Sequence, residues 1–248
     1  MPKYALGAKP DTDDSRDLLF KLRLKTTQLP ALVDLTKGMP NCENQGNLGA
    51  CTAFAIGGAV QYALLKQGKT LLNPSKLFVY YEERLREGTV NEDSGAMIRT
   101  GFKVIADKGF ANEKDWPYIV RRFKRKPVEV AYTRSKLDVV DKYERVDTSL
   151  LALRTALATG NPVVLGMPVF EGMMSEETAQ SGVVYKPTRF EQNMGGHAVL
   201  LMGYDDKKKS FLVRNSWGRD WGKNGYFELS YDYATMDMLM DAWVIKLL

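Results

Sequence analysis

A chain of 248 residues is long enough for one large domain or for two lobes that share a cleft. Its 44% hydrophobic and 26% charged residues are ordinary for a globular protein, and no apolar run approaches the roughly 18 residues that a membrane-crossing helix needs. Two cysteines are too few for a disulfide scaffold, and a net charge of +5 is modest, its main concentration being one short basic block.

In chain order, residues 1–29 are polar and mixed, with Pro10-Asp11-Thr12-Asp13-Asp14 near the start, and read as an irregular arm over the body rather than a core element. The stretch Met1 to Asp14 lacks the apolar segment of a cleavable secretory signal, which leaves a cytoplasmic location or export by a non-classical route. From Cys51 to Lys66, Phe54, Ile56, Val60, Ala63 and Leu64 recur at helical spacing, and Gly68 supplies the stop. Asn73-Pro74 suits the cap and first turn of a second helix running to about Arg86 and ended by Gly88. Met97 to Lys108 predicts a third, stopped by Gly109.

The basic block Arg121-Arg122-Phe123-Lys124-Arg125-Lys126 reads as a solvated loop or lobe connection, so neither a nucleic acid nor a membrane is expected as partner. Ser149 to Thr159 predicts a short helix. Strand-like runs follow at Val163–Gly166, Ala198–Tyr204, Phe211–Arg214, Tyr226–Ser230 and Ala242–Leu247, with 205–210 as a hairpin connection. A helical first half and a mostly antiparallel second half predict an α+β fold of two unlike lobes with a cleft between them. The expected divisions are an arm over 1–29, a helical lobe over 30–120 and a β lobe over 121–248.

Four residues carry chemistry. Cys51 opens the first long helix, whose positive N-terminal end favours a thiolate over the thiol. His197 is the single histidine, so a thiol that needs an imidazole partner must use this one. Asn215 offers a side-chain oxygen that can orient the ring, and Trp217 can cover that hydrogen bond. Gln45 carries an amide that, with the Cys51 backbone N–H, can stabilise a tetrahedral oxyanion. Each residue alone has an ordinary structural role: a small buried hydrophobe, a structural hydrogen-bonder, a turn asparagine, a loop glutamine. Their joint order is what points to a thiol nucleophile, its base, an orienting group and an oxyanion donor. With one histidine and no cysteine pair at ligand spacing, neither a metal nor a cofactor is expected.

These residues resemble the papain-like cysteine proteases, peptidase family C1, from about Leu29 to Leu248. Asn44-Gln45-Gly46 is similar to the family's oxyanion motif, Gly49-Ala50-Cys51 to its nucleophile, Gly196-His197-Ala198-Val199 and Asn215-Ser216-Trp217-Gly218 to its histidine and asparagine motifs. Trp221-Gly222 and Asn224-Gly225-Tyr226 continue the match. The run Gln45-Gly46-Asn47-Leu48-Gly49 and the lack of bridging cysteines resemble a bacterial or viral, disulfide-free branch, some members of which carry an N-terminal arm across the cleft.

The resemblance implies a helical left lobe, a barrel-like antiparallel right lobe, and peptide-bond hydrolysis through a Cys51 thioester. It also implies substrate contacts at Ser94 and Gly95, Gly196 and Trp217. A monomer acting on peptide or protein substrates is expected. An inactive peptide-binding relative and a thioester-using deamidase or transferase are the alternatives. Residues 1–29 either restrain the enzyme by crossing the cleft or pack on its surface. Thr52 stands where the family usually has tryptophan, which leaves the packing beside the nucleophile open, and the glycines at 195 and 196 prevent transfer of the family's specificity pocket.

Overall fold

The structure is a computed structural model that describes residues 4–21, 29–135, 140 and 142–245. Its elements, in chain order, are β1 (Ala8–Lys9), β2 (Leu32–Asp34), α1 (Cys51–Lys66), α2 (Lys76–Arg86), β3 (Ala96–Met97), α3 (Ile98–Lys108), α4 (Glu129–Ser135), β4 (Tyr143–Arg145), α5 (Leu150–Ala158), β5 (Val163–Phe170), α6 (Glu176–Ser181), β6 (Val183–Val184), β7 (Asn193–Asp205), β8 (Ser210–Arg214), β9 (Tyr226–Ser230), α7 (Asp232–Thr235) and β10 (Ala242–Ile245). The last predicted strand was drawn to Leu247; residues 246–248 lie outside the described residues, as do 1–3 and 22–28 of the arm.

Helix α1 is apolar on nearly every face, with 13 of its 16 residues buried, so it forms the centre of the helical lobe instead of its surface. Helices α2 and α3 pack around it through Phe78, Tyr80, Phe102 and Ile105. The α2 N-terminus departs from the sequence expectation. Its cap is Ser75, whose Oγ accepts from the Phe78 N–H at 3.1 Å. Asn73, the predicted cap, instead accepts from Gln61 Nε2 at 3.0 Å and from Lys76, and thereby stabilises a buried cation.

An eight-stranded sheet builds the other lobe in the order β4-β10-β5-β7-β8-β9-β6, with β2 added on β7. All of its named pairings are antiparallel except β6 with β9. Strand β7 separates two cores because side chains alternate across a strand. Ala198, Leu200 and Met202 join the α1 cluster, while Val199, Leu201 and Tyr204 join the core of the sheet's other face. His197, at the start of this buried stretch, is thereby fixed at the seam between the lobes.

The arm is less irregular than its composition suggests. β1 pairs in parallel with β3, Ala8 opposite Ala96 and Lys9 opposite Met97, and Phe20 donates to the Arg145 carbonyl at 2.8 Å.

Candidate active site

Cys51 is the first residue of α1, and Gln45 reaches the same place from the preceding loop. That loop is tied to the Asn215 turn by the Gln45 N–H donating to the Ser216 carbonyl at 2.8 Å and by a bridge between Asn44 and Trp217. The four candidate residues are buried: Cys51, His197 and Gln45 are 0% exposed and Asn215 is 4% exposed. Cys42 and Cys51 are both free thiols.

The hydrogen-bond network assigns the imidazole tautomer. His197 Nε2 lies 2.8 Å from Asn215 Oδ1, and the same oxygen accepts from the Ser216 N–H at 2.8 Å. An amide oxygen only accepts, so Nε2 must carry the hydrogen and Nδ1 keeps its lone pair. His197 Nδ1 is buried and has no hydrogen-bond partner. Its lone pair is uncommitted. Trp217 stacks on the ring, centroids 4.7 Å apart and 25° between planes.

Gln45 is oriented by Ser216, whose Oγ donates to Oε1 at 2.5 Å. The Nε2 end therefore points the other way, donating to the Leu48 carbonyl at 2.9 Å and to the Ala5 carbonyl at 3.2 Å. A carbonyl of the arm thus rests on the candidate oxyanion donor.

The arm also covers the thiol. Gly7 donates its N–H to the Gly196 carbonyl at 3.1 Å, and its own carbonyl accepts from Ala96 N–H at 2.8 Å. Tyr4 stacks on the outer face of Trp217 at 4.4 Å and 11°. Burial pushes the Cys51 thiol up to about 12, against the opposing pull of the Ala198, Gly7 and Thr52 backbone N–H groups. Burial also lowers His197 to about 4, against its bond to Asn215. With the arm seated, burial favours the neutral thiol at Cys51 and the neutral imidazole at His197.

The substrate-contact candidates fall where the arm runs. Gly95 and Gly196 face the Gly7 and Ala8 backbone, and Trp217 lies under Tyr4. Ser94 turns inward instead, donating to Thr89 Oγ1 at 2.7 Å, so only its neighbour Gly95 meets the arm.

Residues 29–245 match the Papain family cysteine protease family. The chain belongs to the papain family of cysteine proteases. It is 38% identical to an uncharacterised peptidase C1-like protein of Acanthamoeba polyphaga mimivirus, over 97% of this chain and 85% of that one. Its fold is similar to xylellain, a cysteine protease from Xylella fastidiosa, with a TM-score of 0.91, 36% identity and coverage of 99% and 97% of the two chains. Rat (Rattus norvegicus) procathepsin L is 27% identical over 83% of this chain, which spans 61% of that precursor's length.

Several supporting residues of this papain-family site carry no motif of their own. Asp93 accepts from the Gly49 N–H at 3.0 Å and from Tyr80, which braces the turn before the nucleophile. Tyr118 donates to the Gln45 carbonyl at 2.9 Å. Thr52, in the place of the usual large ring, donates to Glu83 Oε2 at 2.8 Å, and burial holds the Glu83 carboxyl well above its ordinary range. Pattern-reading misses these because the pairings join residues 13 to 73 positions apart. The only available signal is an acidic residue at 83 on the inward face of a helix.

Proposed function

We propose that this papain-family chain is an endopeptidase held in check by residues 4–9 of its own arm. The observation that carries the catalytic reading is the His197 tautomer: Nε2–H bound to Asn215, Nδ1 free, on the strand residue next to the Ala198 N–H that faces the Cys51 sulfur.

The Cys51 S–H proton passes to His197 Nδ1 and the sulfur adds to the substrate carbonyl carbon. The oxyanion is met by Gln45 Nε2 and the Cys51 backbone N–H. Collapse breaks the C–N bond while His197 returns its proton to the leaving amine. Water, deprotonated by the same imidazole, then hydrolyses the thioester and restores the thiol. A single histidine favours endopeptidase action, since no second imidazole is available to grip a terminal carboxylate.

Self-restraint is supported by what the arm presents to the thiol. The Gly7 backbone lies against Cys51 and is pinned there on both sides, its N–H on the Gly196 carbonyl and its carbonyl on the Ala96 N–H. The arm fills the cleft and keeps Cys51 and His197 out of water.

The test is intact mass after brief treatment with an epoxysuccinyl peptide near neutral pH, with mapping of the adduct. A single adduct on Cys51, absent in His197→Ala and faster once the arm is removed, is expected. No adduct with or without the arm would overturn the catalytic reading; equal rates in both would overturn self-restraint.

A further inference from the structure

Asp93 braces the turn before the nucleophile, and it also sets a negative charge at the edge of the cleft. It is exposed, in the loop between α2 and β3. Its Oδ1 accepts from the Gly49 N–H at 3.0 Å and from the Tyr80 hydroxyl, whose oxygen in turn accepts from the Gly95 N–H at 3.1 Å. Its Oδ2 has only a share of the same Gly49 N–H, at 3.2 Å. Two neutral donors thus fix the side chain, and Oδ2 keeps acceptor capacity for a further partner.

Among the described residues Asp93 makes no ion pair. Arg84, whose field reaches it, is buried against the Tyr80 ring at 4.2 Å, with its guanidinium bonded to the carbonyls of Tyr80, Val90, Glu92 and Phe123. Glu92, also exposed, adds charge of the same sign. The arm supplies no cation either: Tyr4 to Ala8 are uncharged, and Lys9 is paired with Glu87. A Cβ on Gly49 would meet the Leu6 carbonyl oxygen at 3.1 Å and Asp93 Oδ1 at 3.2 Å, so the arm sets one acceptor beside another. Gly49 lies two residues before Cys51, at most roughly 7 Å of chain, which an extended arginine or lysine side chain can span.

We propose that Asp93 determines specificity: the enzyme prefers arginine or lysine as the residue that supplies the attacked carbonyl, and the cationic head of that side chain meets the Asp93 carboxylate. This rests on the peptidase reading above, and it concerns which bonds are cut. The partner is a basic side chain because a fixed carboxylate with neutral donors gains most from a cation, and an arginine fork or a lysine ammonium both donate to Oδ2. A basic substrate thereby makes an interaction that the arm lacks. The carboxylate is exposed, so the pair stays partly solvated, and the preference is modest and weakened by salt.

The test is cleavage, by the full chain, of pooled peptides made in pairs that differ only in carrying arginine or its neutral isostere citrulline. Mass spectrometry reads the cut bonds. A bond that follows arginine should be cut roughly fivefold faster than the same bond following citrulline at low salt, and the ratio should shrink toward one at about 1 M salt. In Asp93→Asn, which keeps an oxygen for the Gly49 and Tyr80 donors, the ratio should stand near one, whatever that variant's absolute rate. Equal cutting of both members, a preference untouched by salt, or a ratio unchanged in Asp93→Asn would each overturn the role of Asp93. The salt dependence of the unaltered chain decides the matter even if the variant does not fold. Cutting of both members at equal rates removes this proposal alone, whereas no cutting of any peptide removes the peptidase reading and this proposal with it.

Discussion

At the scale of single residues, the site depends on amide groups whose orientation is set by neighbours. Asn215 can hold the productive imidazole tautomer only because its oxygen, fixed by the Ser216 N–H, faces Nε2. Ser216 Oγ occupies the oxygen end of Gln45 and so favours the orientation in which its N–H end is the one presented toward the thiol side. Gln45→Ala should lower kcat/KM by roughly 10²-fold, as for other lost oxyanion donors, with little change in thiol alkylation rate. A full-rate Gln45→Ala enzyme would remove Gln45 from the oxyanion site. Ser216→Ala should produce a smaller loss, because the amide can still be found in its working orientation part of the time; steady-state kinetics on one peptide series distinguishes the two variants.

At the scale of elements, the arm and α2 show what periodicity does and does not report. The β1–β3 pairing places Gly7 against the turn before the nucleophile, where an added Cβ would stand 2.0 Å from the Gly49 carbonyl oxygen. Gly7→Ala therefore cannot seat the arm as observed. Its peptidase activity in the full chain should rise to that of a chain lacking the arm, and an unchanged rate would show that the arm does not restrain the enzyme. In α2, Ser75 accepts the orphan Phe78 N–H. Ser75→Ala should cost about 1 kcal/mol in urea denaturation while leaving kcat per folded molecule intact.

At the scale of the whole molecule, one buried and one half-buried group couple stability to pH with opposite signs. His197 is a base whose folded value is depressed to about 4, so the unfolded chain takes up a proton first as the pH falls below about 6.5. Its contribution is complete above that value and declines as the pH falls toward 4. Asp11 is an acid whose folded value is raised to about 6, so its contribution is complete below 3.8 and declines as the pH rises through 6. With Asp11→Asn in the background, the denaturation midpoint of Cys51→Ala should fall from pH 6.5 to pH 4, and adding His197→Gln should flatten that fall. A midpoint whose pH dependence is unchanged by His197→Gln would mean that the histidine is not buried as a neutral base.

The sequence by itself determined the family and most of the scaffold. The order of Gln45, Cys51, His197 and Asn215, the continuous apolar character of α1, the glycine stops after α1, α2 and α3, and the alternation of a helical half with a strand-rich half are local properties, readable from neighbours and periodicity. Tertiary structure decided what lies between distant positions. It chose Ser75 over Asn73 as the α2 cap because a buried Lys76 needed the asparagine oxygen. It filled the place beside the nucleophile with a Thr52–Glu83 pair, and it drew the arm into the cleft. That last outcome has no periodic signature. It arises because Gly7, Gly95 and Gly196 let two backbones approach closely, and because Asp11 finds its donors on α3 and β10, more than eighty residues away along the chain.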